Sequence, residues 1–392
     1  MSETSSTLAA RILPQDAGRA TLVGRVFDPE CGGPCLVQLR GERLVDVTEA
    51  GPTLAGLLDR DDPAAVLAAV PDRRGWPVDT VLAASLDRRE GAVVLLAPCD
   101  LQVVKAAGVT FADSMIERVI EERAKGDPGR AAELRTSLAQ SIGDALTSLK
   151  PGSPEAARVK EILIGEGMWS QYLEVGIGPD AEIFTKAPVL SAVGLGAEIG
   201  ILAASSWNNP EPEVVLAVSS AGAVRGASLG NDVNLRDIEG RSALLLGKAK
   251  DNNASCAIGP FLRLFDRHFT LDTVRGLELA LDVYGAADNF HLEGRSSMRR
   301  ISRDPVALAQ AAIGRHHQYP DGFMLMLGTL FAPTQDRAEA GSGFTHRLGD
   351  RVEIACPELG RLVNSVAHAE TAPPWTFGIG SLMRNLAGRG LL

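Results

Sequence analysis

Residues 207–260 read WNNPEPEVVLAVSSAGAVRGASLGNDVNLRDIEGRSALLLGKAKDNNASCAIGP, and the reading of this stretch decides the fold. Glu211 and Glu213 stand two apart at the start of the apolar run VVLAV. A strand there turns both carboxylates to one face and Pro212 to the other. Proline is tolerated at the first residues of a strand. The segment SSAGAVRG predicts a turn, after which Asp232 follows ASLGN on the partner strand or its exit loop. Neighbouring carboxylates raise one another's pKa unless a cation neutralises them. Three converging acids with no Cys or His among them specify a hard cation, Mg²⁺ first, with Mn²⁺ or Ca²⁺ also suitable. The spacing alone also fits a solvated acidic strand end beside an unrelated aspartate. Downstream, Arg236, Asp237, Glu239, Lys248 and Lys250 add charge to the same stretch.

Outside this stretch the composition sets bounds. A length of 392 residues predicts two domains with a large core. With 45% hydrophobic and 22% charged residues, the chain reads as a soluble globular protein. A net charge of −10 argues against a nucleic-acid partner, which calls for a basic face. The longest apolar run, GAVVLLAP at 91–98, is far short of the ~20 residues that a membrane helix needs. MSETSSTLAARILPQD lacks the basic-then-apolar pattern of a secretory signal, so the expected location is the cytoplasm. The five cysteines are scattered. Cys31 and Cys35 flank Gly-Gly-Pro, but no second pair completes a zinc site, and they read as small residues at a turn in a reduced protein.

Along the chain, ATLVGRVF and GPCLVQLRGERLVDVT alternate as strands do, and PTLAGLLDRDDPAAVLAAV predicts two short helices, the second opening at Pro63. GAVVLLAPCDLQVVKAAGVTF reads as buried strand, which places a domain boundary near Leu96–Asp100. Helical spacing follows over Ser114–Gly126, 133–149 and Pro154–Ile164. From AEIFTKAP the pattern turns to strand, with a helix near PVALAQAAIGRH at 305–316. The expected organisation is an N-terminal α/β domain over 1–98 and a metal-binding catalytic domain over 99–392, with a helical insert at about 114–165. The apolar C-terminal segment TAPPWTFGIGSLMRNLAGRGLL is expected to pack on the body or on a neighbouring subunit.

The segments PEPEVVLAV, GNDVNLRDIEG, KAKDNNASCAIGPF, LGTLFAP and LGDRVEIACPELGRLVNSV occur in that order. As an ordered set they resemble the fumarylacetoacetate hydrolase superfamily over roughly Cys99–Ala367. The resemblance implies an α+β fold with a mixed β-roll catalytic domain around one divalent metal. By it, Glu211, Glu213 and Asp232 match the metal ligands, and Arg236, Lys250 and Thr329 match residues of the substrate pocket. Hydrolase members carry a His–Glu pair in the segment matching GVTFADSMIER. Here Ser114 stands at the histidine position while Glu117 matches the glutamate, so the usual base for a hydrolytic water is missing. The AEIFTKAP stretch with Glu182, the RDIE form of the Asp232 motif, Lys250 before CAIGP, and Met298-Arg299-Arg300 are more similar to the 2-keto-3-deoxy-pentonate (arabinonate or xylonate) dehydratases of that superfamily.

That likeness implies a hydro-lyase of non-phosphorylative pentose catabolism, converting a 2-dehydro-3-deoxy-D-pentonate to 2,5-dioxopentanoate, and a homo-dimer or homo-tetramer. A metal-chelated 2-keto acid would be acidified at C3 and its enolate stabilised. Lys250, if its pKa were lowered, would serve as base, or as an ammonium donate to the enolate. Glu182 would protonate the departing C4 hydroxyl, Ser114 and Glu117 would assist through water, and Thr329 with the Gly328 backbone would hold the substrate carboxylate. The rival readings are an acylpyruvate-type hydrolase, an oxaloacetate decarboxylase on the same scaffold, and a non-catalytic metabolite-binding protein.

Overall fold

The computed structural model describes residues 7–125, 127, 129–131, 149–165, 167, 169–331, 333–337 and 343–392, with the side chains of 112–114, 116 and 121 outside that description. Among the described residues two sheets are present. The large one is built from β1 (Leu22–Asp28), β2 (Gly33–Arg40), β3 (Arg43–Asp46), β4 (Gly75–Pro77), β5 (Val94–Leu96), β6 (Val103–Gly108) and β7 (Glu182–Ala187). It is completed by β9 (Pro212–Val218), β10 (Val224–Asp232), β11 (Cys256–Leu264) and β14 (Phe323–Met326). Its order is β4-β3-β2-β1-β11-β10-β9-β14-β6-β7, with β5 on β1. The small sheet runs β13 (His291–Ser297), β12 (Glu278–Tyr284), β15 (Arg351–Cys356), β16 (Gly360–His368) and β8 (Glu198–Ile201). Only β14 with β6 and β16 with β8 pair in parallel among these strands. This is the mixed roll that the sequence motifs imply.

β9 explains why the roll forms. Its seven residues PEVVLAV are all buried, as a strand covered on both faces requires. Leu216 and Val218 point into a core shared with Leu281, Val283, Val352 and Ile354 of the small sheet. Val215 and Ala217 point the other way, into a second core roofed by Leu54, Leu57, Leu58 and Leu67. Those four leucines lie on the Leu54–Leu58 and Pro63–Ala69 helices. The second helix is opened as expected by Asp62, whose carboxylate accepts from Ala65 N at 2.9 Å, with Pro63 in its first turn.

The boundary expected near Leu96–Asp100 falls between β5 and β6, yet the N-terminal strands continue the large sheet rather than form one of their own. β1 pairs antiparallel with β11, Leu22 opposite Arg263 and Val23 opposite Leu262. An edge of β11 left bare would present unpaired backbone groups, and β1 covers it. At the other end of the chain, the Ile379–Gly388 helix buries Leu382 and Leu386, and Asn385 Nδ2 donates to Cys31 O at 2.7 Å.

The Ala112–Ala124, Pro154–Gly165 and Gln171–Ile177 helices cover the end of the roll. They share a core of Met115, Val119, Ile120, Leu163, Leu173 and Ile177 that also takes in Trp207. The helix expected over 133–149 falls almost wholly outside the described residues.

Candidate active site

The β9–β10 hairpin brings the three acids together. Gly230 lies opposite Glu213, Asn231 opposite Pro212, and Asp232 N donates to Glu211 O at 3.0 Å. Ligand atoms of Glu211, Glu213 and Asp232 all lie within 4.8 Å of one another, and all three residues are buried. They line a small cavity of about 20 Å³ with Ala107, Gly108, Val109, Arg118, Glu182, Phe184, Glu239, Lys250 and Thr329. That volume is enough for roughly one water or ion and far too small for a sugar acid. The groove of about 390 Å³ lined by Arg11, Arg295 and Arg361 is larger, but the acid triad is not part of it.

Each acid is held by donors. Glu211 accepts from Lys250 Nζ at 2.6 Å on Oε2 and from Arg118 Nη2 on Oε1. Burial alone would raise its pKa, but Arg118 and Lys250 outweigh it and hold the carboxyl at about 2. Glu213 accepts from Gly328 N at 2.7 Å, yet burial, Asp232 and Glu211 push it well above the ordinary carboxylate range. Asp232 Oδ2 lies 3.1 Å from Lys250 Nζ. Its Oδ1 lies 2.8 Å from Lys186 Nζ but accepts no hydrogen bond. The lysine directs its protons instead to Val233 O at 3.0 Å, to Lys250 O and to Ser255 Oγ at 3.5 Å.

These features fit a divalent cation. A buried carboxylate oxygen that faces a lysine but takes no hydrogen bond, a neighbouring carboxyl that resists ionisation beside two others, and an all-oxygen donor set are what a hard metal relieves. The acidic cluster anticipated from the sequence is therefore a built, buried site rather than a solvated strand end.

Glu182 enters from β7, where it pairs with Gly108 on β6. A Cβ at position 108 would lie 2.6 Å from Glu182 Cδ, so only glycine leaves room for this carboxyl. Burial first, then Glu239 and Glu211, push Glu182 up to about 7, against Arg118 and Lys250. Gly328, two residues past the end of β14, has φ +96°, a backbone that L side chains rarely adopt, and a Cβ there would meet Ala107 O at 3.0 Å. That conformation delivers its N–H to Glu213.

The lowered pKa considered for Lys250 is corrected. Burial does lower it, but Asp232, Glu211 and Glu239 outweigh burial and raise it above the ordinary lysine value, so Lys250 is an ammonium here. Its Nζ lies 5.8 Å from the Phe184 ring centroid. Thr329 lines the cavity and its Oγ1 donates to Phe331 O at 2.9 Å. Arg236 is buried just outside the lining residues. It donates to Pro333 O at 3.0 Å and lies 5.4 Å from the Trp207 ring centroid, and its charge still lowers the Glu211 pKa. Glu117 is half-buried on the Ala112–Ala124 helix and does not line the cavity. The backbone of Ser114 lies in the first turn of that helix, and its side chain is outside the described residues. Of the other charges in the stretch, Asp237 accepts from Ser205 and Ser206, and Lys248 is exposed.

Three contributors are not singled out by the sequence reading. Arg118 joins Glu211 to Glu239, donating to Glu239 Oε2 through Nη1 at 2.7 Å. A cation on the apolar Met115–Val119 face of a helix is the signal that marks it. Lys186, with no exposed surface, lies on the same strand face as Glu182 and Phe184, a period-two pattern visible in EIFTK. Glu239, named above only among the charges of its stretch, lines the cavity itself.

The geometry is that of a fumarylacetoacetate hydrolase-type fold, an N-terminal part joined to a mixed roll. Solved structures place it there. 2-Keto-3-deoxy-D-arabinonate dehydratase in its apo form superposes at a TM-score of 0.62 and 20% identity, over 88% of this chain and 99% of that one. The same enzyme complexed with magnesium and 2,5-dioxopentanoate superposes at 0.61 and 20% identity, with the same coverage. A 2-hydroxyhepta-2,4-diene-1,7-dioate isomerase from Mycobacterium marinum superposes at 0.51 and 19% identity, over 89% of this chain and 99% of that one. In sequence, the 2-dehydro-3-deoxy-D-arabinonate dehydratase of Saccharolobus solfataricus is 30% identical over 185 residues, 47% of this chain and 58% of that one. The probable 2-keto-3-deoxyxylonate dehydratase of Haloferax volcanii is 29% identical over 213 residues, 54% of this chain and 68% of that one. The match thus spans little more than half the length of the first of these relatives. No family model matches the chain. The resemblance carried by the motifs is borne out by these relatives, and among the described residues no helix is long and apolar enough to cross a membrane.

Proposed function

We propose that this chain is a divalent-metal-dependent dehydratase of a 2-keto-3-deoxy sugar acid, 2-keto-3-deoxy-D-pentonate in the first instance, with 2,5-dioxopentanoate as product. One observation carries the reading. A single cavity joins three mutually close carboxylates to Glu182, whose pKa sits near 7, and to the Lys250 ammonium 2.6 Å from Glu211. Glu211, Glu213 and Asp232 would hold Mg²⁺, which supplies a Lewis acid for the carboxylate and keto oxygens of a 2-keto acid and acidifies its C3 protons.

The proton work falls to the chain. Lys250 keeps its proton because the Asp232 and Glu211 carboxylates face it. Were Glu211 and Asp232 to hold a metal, that attraction would fall and Lys250 would be the group to take the C3 proton. Glu182, close to half protonated at neutral pH, delivers a proton to the departing C4 hydroxyl. The C3–C4 double bond forms as the C3–H and C4–O bonds break, and tautomerisation that moves a proton from C5 to C3 and the C5 hydroxyl proton to C4 gives the aldehyde. Thr329 holds the substrate carboxylate, the Gly328 N–H stays on Glu213, Arg236 biases the site electrostatically, and Glu117 with Ser114 assists through water. Acid–base help of this kind is worth about 10²–10⁴-fold in rate.

Among the described lining residues there is no histidine, which favours dehydration over acylpyruvate hydrolysis or a decarboxylase that needs an imidazole base. The test is incubation with 2-keto-3-deoxy-D-pentonate and Mg²⁺, then with EDTA, assayed for semialdehyde. Metal-dependent, EDTA-sensitive product supports the proposal. Absence of product with metal present refutes it, and acylpyruvate cleavage in its place points to the hydrolase.

A further inference from the structure

The β1–β2 hairpin brings two free thiols face to face. Cys31 lies in the turn and Cys35 on β2 opposite Val26, with their Sγ atoms 3.6 Å apart. That separation is close to the roughly 3–3.5 Å of a near-attack geometry. Of the five cysteines Cys31 alone is not buried, whereas Cys35 is 1% exposed. Asp28 completes a trio of possible metal ligands with them, but cations already stand there. Arg74 donates to the Asp28 carboxylate, and Arg389 Nη2 donates to Cys35 Sγ at 3.3 Å. A metal would have to displace both, whereas a sulfur–sulfur bond requires neither to leave. The C-terminal helix is docked on the same turn. Asn385 Nδ2 donates to Cys31 O at 2.7 Å, Arg389 Nη1 donates to Pro34 O at 2.8 Å, and the Asn385 amide leaves no room for a Cβ at Gly33. Closing the sulfurs to a bond of about 2.05 Å draws the turn inward. Gly32, at φ +60° with open space where a Cβ would stand, lets the turn give way. The Asn385 contacts then shift with it.

We propose that Cys31 and Cys35 form a reversible disulfide by exchange with a low-molecular-weight disulfide, and that its closure loosens the Ile379–Gly388 helix on the turn. The Cys31 thiolate attacks one sulfur of the small disulfide, whose S–S bond breaks and expels a thiolate. Cys35 then gives up its proton and attacks the Cys31 sulfur of the mixed disulfide, and the second small thiolate leaves. Two protein thiols are oxidised, one small disulfide is reduced to two thiols, and the protons from Cys31 and Cys35 end on those leaving groups. Burial first, then Asp46, push the Cys35 thiol up to about 12 against Arg389, so the second step is the slow one and quickens as pH rises. Neither cysteine lines the acid cavity, which makes the site independent of the metal reading.

The test treats the full chain with oxidised glutathione and follows it by peptide mass and by amide hydrogen exchange. Wild type is compared with C31S and C35S, and far-UV circular dichroism confirms the fold of each. The tryptic peptide 26–40, VFDPECGGPCLVQLR, holds both cysteines, so closure makes it lighter by two hydrogens without linking it to another peptide. In wild type this peptide first carries glutathione and then closes, faster at about pH 9 than at neutral pH, and dithiothreitol restores both thiols. C35S stops at the adduct on Cys31, and C31S takes none. On closure, exchange over the Ile379–Gly388 helix quickens about 2- to 10-fold in wild type, the scale of one hydrogen bond, and stays unchanged in treated C31S. A wild-type peptide that keeps both thiols, or that holds glutathione without closing at either pH, overturns the disulfide. C31S modified on this peptide as fast as wild type overturns it as well. Closure with unchanged exchange in the helix overturns the link to docking. Should either variant lose its fold, the wild-type time course and exchange carry both readouts alone.

Discussion

Replacing Gly108 with alanine puts the proposed role of Glu182 to a structural test. The new Cβ would lie 2.6 Å from Glu182 Cδ, against an ordinary carbon–carbon contact of about 3.5–4.0 Å, so the carboxyl must retreat by about 1 Å. Overpacking of this kind costs about 1–3 kcal/mol. Glycine to alanine on a permitted backbone returns about 0.4–1 kcal/mol through the unfolded state, so the net loss is about 1–2 kcal/mol. For 392 residues at about 2.1 cal/mol/K each, that lowers Tm by roughly 1–3 °C. A displacement of about 1 Å in a proton-transfer group costs on the order of 10²-fold in kcat. Mn²⁺ affinity stays near wild type, because Gly108 faces Glu182 and not the triad. Scanning calorimetry of wild type, G108A, E182A and the double variant closes a cycle: with the carboxyl gone, alanine at 108 costs nothing and stabilises slightly. A Tm loss that persists in the E182A background refutes the contact, and an unaltered kcat in G108A refutes the need for Glu182 in place.

The other predictions concern the same charges. Glu182, with its folded pKa raised from 4.5 to about 7, makes stability fall as pH rises from about 4.5 to 7. E182Q flattens that part of a Tm-against-pH curve and abolishes turnover, and an unchanged slope would place the titration elsewhere. Glu213→Gln removes a buried carboxyl that resists ionisation, so the metal-free Tm rises while the Tm gain on adding Mn²⁺ disappears. If the gain survives, Glu213 is not a ligand. Lys186→Met strips a fully buried cation from Asp232 and costs about 3–5 kcal/mol without metal. Saturating Mn²⁺ then raises its Tm by more than it raises that of wild type, and an equal or smaller gain rejects the charge role of Lys186.

The fold was legible wherever local pattern and burial agree. VVLAV after E-P-E reads as a strand, and Asp62-Pro63 marks a helix start without tertiary help. The triad was legible because a hairpin is a local object, with Glu213 opposite Gly230 and Asp232 at the end of the partner strand. Long-range features were not. That β1 extends the sheet through β11 depends on pairing across 239 positions between Val23 and Leu262, which no local pattern encodes. Sequence left Lys250 as either a base or an ammonium because burial and neighbouring charge oppose one another, and only the distances show that two carboxylates at 2.6 and 3.1 Å win. Arg118 and Lys186 carried signals, a cation on an apolar helix face and a lysine in phase with Glu182. Neither signal names a partner.

Charge then narrows what the site can hold. Five carboxylates, Glu182, Glu211, Glu213, Asp232 and Glu239, face four cations, Arg118, Lys186, Lys250 and Arg236. With all five ionised one negative charge is left over, and in the metal-free site the reluctance of Glu213 and Glu182 to ionise absorbs it. A divalent cation turns the surplus to a single positive charge, which a monocarboxylate neutralises. A dicarboxylate such as oxaloacetate would restore an uncompensated negative charge in a buried cavity, where each such charge costs several kcal/mol. The balance therefore favours a singly charged 2-keto acid whose remaining groups are hydroxyls. Pyruvate should accordingly compete for the Mn²⁺-loaded site more strongly than oxaloacetate does, and the reverse order in a competition titration would break the link drawn between the charge of this cavity and its substrate.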